Sequence, residues 1–210
     1  RPTKPAKPKR ATTVVIEPER RPEVRPADVD LTVDLGRGLV LPNPILVASG
    51  TFGYGVEYGD VVDVDRLGGI CCKGTTLKAR IGNPTPRVTE TPGGMVSSVG
   101  LQNPGVDAVV AKYAATWTRW QTPVIVNVAG ESVHDYVEVA RRLDGVPGVA
   151  GIELNISCPN VGAGGLQFAI ADGVPENIVR VGELANCPID AIVQRVVIAG
   201  AVLHPALQVP

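Results

Sequence analysis

Histidine is scarce in this chain: His134 and His204 are the only two in 210 residues. His134 falls near the start of an expected helix rather than at a strand end, so a Ser-His-Asp triad or a histidine metal centre has little to build on. Cysteine is nearly as rare. Cys71, Cys72, Cys158 and Cys187 show no metal-ligand spacing, and two adjacent cysteines fit no sensible disulfide framework in a chain this long. A reducing, cytoplasmic setting is the expectation. Long apolar runs are missing too: the most apolar late stretch, residues 191–203, is interrupted by Gln194 and Arg195 and is too short to span a bilayer. No signal-peptide pattern opens the chain, and nothing requires a membrane.

What is present suits a globular protein with a sizeable core, at 44% hydrophobic residues. The net charge of −1 conceals an asymmetry, because residues 1–26 carry eight Lys or Arg against three Glu, which leaves the remainder at −6. The basic stretch is interspersed with prolines and has no aromatic residue to stack on a base, so it reads as a solvated, disordered tail and not as a nucleic-acid arm. Three regions follow from this: a Pro-rich basic tail over 1–28, a folded part over 29–185 and a divergent segment over 186–210. The chain opens at Arg1 without Met and stops after an apolar stretch, and it is expected to be incomplete.

Beyond the tail, residues 31–35 alternate apolar and polar side chains, Gly36-Arg37-Gly38 supplies a turn, and Leu39-Val40-Leu41 completes an expected β-hairpin. Residues 45–49 and 69–73 are short apolar runs of the kind expected for strands buried on both faces. Between Gly105 and Gln121 the residues Val106, Val109, Val110, Tyr113, Trp117 and Trp120 recur at spacings of three and four, which predicts an amphipathic helix. A third buried strand covers 123–128. Ser132 with Asp135 resembles a capping box, opening a helix with Val133, Tyr136, Val137, Ala140 and Leu143 on one face. A strand over 151–156 follows, then glycines at 162, 164 and 165 suited to an active-site lid, and a further helix from about 175 to 184.

Buried strands alternating with amphipathic helices predict a parallel α/β sheet. Ser49, Lys73, Asn127 and Asn155 each fall at or near the C-terminal end of an expected strand, and a (β/α)8 barrel gathers such ends around one site. The barrel is therefore preferred to a doubly wound sheet. Lys73 ends an apolar strand and must emerge at the mouth or meet an anion, and Gly74-Thr75-Thr76 add donors suited to an oxygen-rich ligand. Asn127 and Asn155, on neighbouring strands, could read the alternating N–H and C=O edge of a planar heterocycle. Cys158 lies beyond a strand end, between asparagines and before the glycine-rich stretch, a place for an accessible thiol acting as base or nucleophile. Cys71, Cys72 and Cys187 read as small buried apolar residues.

The stretches Asn43-Pro44-Ile45, Ala48-Ser49-Gly50-Thr51-Phe52-Gly53, Lys73-Gly74-Thr75-Thr76, Gly82-Asn83-Pro84-Thr85-Pro86-Arg87, Gly100-Leu101-Gln102-Asn103-Pro104-Gly105, Asn127-Val128-Ala129-Gly130 and Asn155-Ile156-Ser157-Cys158-Pro159-Asn160 resemble the dihydroorotate dehydrogenases, in order and spacing, over about residues 31 to 170. The resemblance implies an FMN-containing TIM barrel that oxidises dihydroorotate to orotate in pyrimidine biosynthesis. A cysteine at the base position is similar to the soluble class 1 enzymes. Within these the chain most resembles the NAD-linked type, whose catalytic subunit pairs with an electron-transfer subunit carrying FAD and an iron–sulfur cluster; the fumarate-linked type is second.

Carried onto this sequence, the resemblance implies FMN contacts from Ala48, Ser49, Lys73, Gly74, Asn127 and Asn155. It implies substrate contacts from Lys73, Ser97, Ser98, Val99, Gly100, Leu101, Asn155 and Asn160. Cys158 would take the C5 proton of dihydroorotate, with Lys73 beside the reacting groups, while a hydride passes from C6 to the flavin. Two positions depart from the family pattern, Ser97 where Asn is usual and Gly74 where Ser is more usual. A complete barrel needs typically about 250 residues, whereas about 180 follow the tail, so only about the first half of the barrel is expected. A homo-oligomer or a heterotetramer is implied for the complete enzyme. The other readings are a non-catalytic remnant and an FMN barrel acting on another pyrimidine. Neither nucleic acid nor membrane is expected as a partner.

Overall fold

A computed structural model describes residues 29–36 and 38–155. Every element below lies in the unit that starts at Leu31; of the unit before it only Val29 and Asp30 are described. The expected tail over 1–28 and the expected elements after Asn155 lie outside the described residues.

The first element is the predicted hairpin: β1 (Val33–Asp34) pairs antiparallel with β2 (Val40–Leu41), Val33 opposite Leu41. Asp34 Oδ1 accepts from Gly36 N at 2.7 Å, and Gly36 takes a positive φ of 91°, a conformation that glycine adopts without steric cost. Next come β3 (Leu46–Val47) and β4 (Gly69–Cys71), joined by two short 3₁₀ turns. A second hairpin, β5 (Val88–Thr91) with β6 (Gly94–Ser97), turns at Pro92-Gly93 and is exposed along its whole length. The sequence reading passed over it, because with neither face buried it has no apolar alternation to reveal a strand.

The helix α1 (Val106–Trp117) leads to β7 (Val124–Val128), and α2 (Val133–Leu143) leads to β8 (Gly151–Leu154). Strands β3, β4, β7 and β8 form one parallel sheet in that order. Thus two of its crossovers carry a helix, the βαβ arrangement that parallel pairing requires. The α1 stripe buries Val106, Val109, Tyr113 and Trp117, while Trp120 lies beyond the last helical turn, half-buried against the same core. Tyr54 stacks on Tyr113 with ring centroids 4.5 Å apart, and Trp117 Nε1 donates to Tyr54 O at 3.0 Å, so the one polar atom of the buried indole is satisfied.

The predicted start of α2 is present in detail. Ser132 Oγ accepts from Asp135 N at 3.2 Å, and Asp135 Oδ2 accepts from Glu131 N at 3.0 Å, occupying donors that the first turn would otherwise leave open. Arg142 of α2 reaches Asp107 of α1 at 2.8 Å on the outer surface.

Alternation along the strands divides the sheet into two faces. The outer face (Val47, Ile70, Cys72, Val124, Val126, Val128, Ile152 and Leu154) packs against the helices in one core. On the inner face Cys71 and Ile125 meet Leu39 and Leu41, with Val33 and Leu35, in a second and smaller cluster. The β1–β2 hairpin therefore covers the N-terminal end of the inner face. One expectation is corrected: the run 45–49 is not buried on both faces, since Ile45 is 62% and Leu46 39% exposed. Among the described residues β3 pairs only with β4.

Candidate active site

On the inner face, successive positions of each strand climb from the hairpin-covered floor to the C-terminal rim. Cys71 and Ile125 form the floor and lie opposite each other in register. One step higher, Asn127 of β7 stands opposite Glu153 of β8. Above these come Lys73, just past β4, and Asn155, just past β8. The floor is apolar and the rim is polar. This gradient comes from the strand sequences Ile125-Val126-Asn127 and Glu153-Leu154-Asn155, in which every second residue faces inward.

The polar groups are connected. Asn127, 2% exposed, donates from Nδ2 to Glu153 Oε2 at 2.6 Å, and Asn155 donates from Nδ2 to Asn127 Oδ1 at 3.3 Å. Asn155 is held from behind, its backbone oxygen accepting from Tyr136 Oη of α2 at 2.6 Å. Gly74 borders the same amide: a Cβ there would stand 3.0 Å from Asn127 Oδ1 and 2.6 Å from Leu101 Cδ1. Lys73 is half-buried, and its backbone N–H donates to Gly53 O at 2.8 Å, tying the loop after β3 to the rim. Thr75 Oγ1 donates to Lys73 O at 3.1 Å and also meets Tyr54 Oη at 3.4 Å. Of the other rim residues, Ala48 is exposed and Ser49 half-buried.

The segment 97–101 is carried in by the loops around it. Ser97 closes β6 in solvent. Asn83 Nδ2 donates to both Ser98 O and Ser98 Oγ, at 2.9 and 3.0 Å, and Asn83 N donates to Val99 O at 3.1 Å. Arg87 donates to the carbonyls of Ile81 and Asn83 and to Gln102 Oε1, and so closes the loop on itself. Gly100 and Leu101 both take positive φ, 76° and 55°. For leucine this is uncommon, and a non-glycine residue held there implies a constraint from its surroundings. Here Asn103 Nδ2 donates to Leu101 O at 3.0 Å, and the Leu101 side chain lies against Gly74.

Structure therefore brings together Lys73, Gly74, Leu101, Asn127 and Asn155 from the sequence-based set and adds Glu153, which sequence reasoning passed over. The signal for Glu153 was its position: a charged residue in the apolar strand Gly151–Leu154, two before Asn155 and hence on the same face. Cys158 and Asn160, with Ser157 and Cys187, lie outside the described residues. Burial, and secondarily the Glu153 carboxylate, pushes the Cys71 thiol up to about 12. Burial does the same more strongly to Cys72. Both remain neutral thiols at physiological pH, in keeping with their reading as small packing residues. Among the described residues no group of His, Cys, Asp or Glu is placed to hold a metal ion, and no helix is long and apolar enough to cross a membrane.

A parallel sheet with helical crossovers and polar side chains collected at its C-terminal rim is the arrangement of (β/α)-barrel enzymes. Residues 32–198 match the family model described as dihydroorotate dehydrogenase, and the chain belongs to that family. It is 51% identical over 155 residues to the protein named dihydroorotate dehydrogenase B (NAD(+)), catalytic subunit, of Desulforudis audaxviator, covering 73% of this chain and 50% of that one. It is 50% identical over 153 residues to the protein of the same name from Anoxybacillus flavithermus, covering 72% and 49%. The chain thus spans about half the length of the curated relatives it matches. The DHODH of Eimeria tenella, solved with ferulenol, superposes with a TM-score of 0.60 at 19% identity over 77% of this chain and 46% of that one, a likeness of fold.

Proposed function

We propose that this chain supplies the FMN- and dihydroorotate-binding part of an NAD-linked dihydroorotate dehydrogenase, which oxidises dihydroorotate to orotate in pyrimidine biosynthesis. The carrying observation is the inner-face ladder Glu153–Asn127–Asn155 beside Gly74, within a family member about 50% identical to NAD-linked catalytic subunits. The four parallel strands are read as the first half of a (β/α)8 barrel.

The residues present suit a flavin. Two connected amides offer donors and acceptors of the kind an isoalloxazine edge requires, and Lys73 brings a cation. Ala48, Ser49, Lys73, Gly74, Asn127 and Asn155 would hold FMN. Lys73, Asn155 and Asn160 would hold dihydroorotate, together with Ser98, Val99, Gly100, Leu101 and, at the exposed end of that segment, Ser97. When bound, FMN supplies the acceptor for the hydride from C6.

The chain's own part is proton transfer, position and exclusion of water. Cys158 Sγ, as thiolate, takes the proton from C5 as the C5–C6 double bond of orotate forms. Lys73 steadies negative charge at the rim, and Leu101 covers the Gly74 side of the pocket. An ordinary thiol titrates near 8.5, so the rate rises on the alkaline side of neutral. An electron-transfer subunit carrying FAD and an iron–sulfur cluster would take the electrons onward, in a cytoplasmic heterotetramer.

Dihydroorotate added anaerobically to the FMN-loaded chain tests the proposal. Loss of the oxidised flavin band is expected, with Cys158→Ala slower by about 100-fold or more while still retaining flavin, the usual scale for loss of a general base. An unbleached flavin in the parent chain contradicts the activity.

A further inference from the structure

We propose that Glu153 is a positioning residue: its carboxylate fixes the side-chain amide of Asn127, and through it that of Asn155, so the site offers a ligand one donor/acceptor pattern. An amide group presents nearly the same shape when turned by half a rotation, yet turning exchanges its donor for its acceptor. A carboxylate only accepts. Glu153 Oε2, 2.6 Å from Asn127, therefore requires the Nδ2 end of that amide. Asn127 Oδ1 must then face the other way, where it accepts from Asn155 Nδ2 at 3.3 Å and borders Gly74.

The second amide is set by the first. Asn155 turns its Nδ2 toward Asn127 and keeps its Oδ1 and second N–H for a ligand. Glu153 stands directly opposite Asn127 in the parallel register, so no side-chain search is needed to make the contact. From the other side, Tyr136 holds the Asn155 backbone. One charged group below the rim thus determines the orientation of two neutral groups above it. Without the carboxylate, the hydrogen-bonded pair of amides has two equivalent arrangements, about one in two is competent, and apparent affinity falls by that fraction.

The consequence for FMN rests on the flavin reading above; the orientation itself does not. Two variants of the full 210-residue chain, Glu153→Ala and Glu153→Gln, test both. The first readout is the side-chain ¹⁵N–¹H₂ resonances of the flavin-free protein. Glu153→Ala is expected to shift the Asn127 and Asn155 pairs together while the backbone spectrum keeps its folded pattern, with a lower melting temperature because the buried Asn127 Nδ2 loses its acceptor. A shift confined to Asn127, or none, overturns the relay. The second readout is FMN affinity by flavin fluorescence. Glu153→Ala is expected to bind about twofold more weakly, and Glu153→Gln, whose amide can either accept from Asn127 or donate to it and so no longer selects one orientation, to weaken binding to the same extent. Equal affinity in parent and Glu153→Ala overturns the positioning role. A parent chain that takes up no FMN contradicts the flavin reading alone, and the amide resonances then decide the role of Glu153 by themselves.

Discussion

A methyl group at position 74 would stand 2.6 Å from Leu101 Cδ1 and 3.0 Å from Asn127 Oδ1. The leucine end is flexible and can yield, whereas the amide oxygen is held by Asn155 and, through its own Nδ2, by Glu153. Gly74→Ala should therefore cost little in folding, about 1 kcal/mol by the usual scale of small overpacking, as read by thermal melting. Among the described residues, three buried groups contribute to the response to alkali. Tyr54 is pushed from 10.0 up to about 12 by burial, Cys71 from 9.0 up to about 12, and Cys72 upward as well. Each binds its proton more tightly folded than unfolded. Their contribution is thus fully present below pH 9.0 and lost as pH rises through about 12. Urea midpoints measured across this range should fall steadily; a flat profile would contradict the buried placement of these groups. Lys73, Asn127 and Asn155 were legible in the sequence because each is a polar residue closing an apolar run. Glu153 was not, since its role depends on which residue stands across the sheet from it, and a single strand does not record its neighbour.

Among the elements, α2 was the most legible, because its start and its buried face are both local properties. Ser132 accepts from Asp135 N at 3.2 Å as the pattern implies. Ser132→Ala should cost about 1 kcal/mol in urea unfolding, the ordinary value of an N-cap. At the start of β4 a closer fit prevails: a Cβ on Gly68 would lie 1.8 Å from Asn43 O, and Gly68 N donates to Ile45 O at 2.7 Å. Backbone cannot yield as a leucine tip can. Gly68→Ala should destabilise by about 3 kcal/mol or more, at the upper end for overpacking, and a change under about 1 kcal/mol by the same urea assay would show that β3 and β4 do not approach as described. Two elements were read poorly for opposite reasons. The β5–β6 hairpin buries neither face, so its strands lack alternation, and the run beginning at Ile45 is apolar without being covered. Apolar sequence states a preference for burial; it does not say what does the burying.

For the molecule as a whole, the sequence order of strand, helix and strand was enough to reach a parallel sheet with its polar ends at one rim, and register then supplied what order could not. The hairpin at the N-terminal end closes the floor with Leu39 and Leu41, and the four strands carry the rim. Gly74, Asn127, Asn155 and Glu153 meet on one face, with Lys73 beside them at the rim. This face is the proposed flavin site. Flavin fluorescence, followed as the 210-residue chain and its Asn127→Ala variant are each added to FMN, tests it directly. Saturable quenching by the parent chain is expected, with binding weaker by about tenfold or more in the variant, the loss that follows when a hydrogen-bonded pair in a buried site is broken. Equal quenching by both, or none by either, would contradict it.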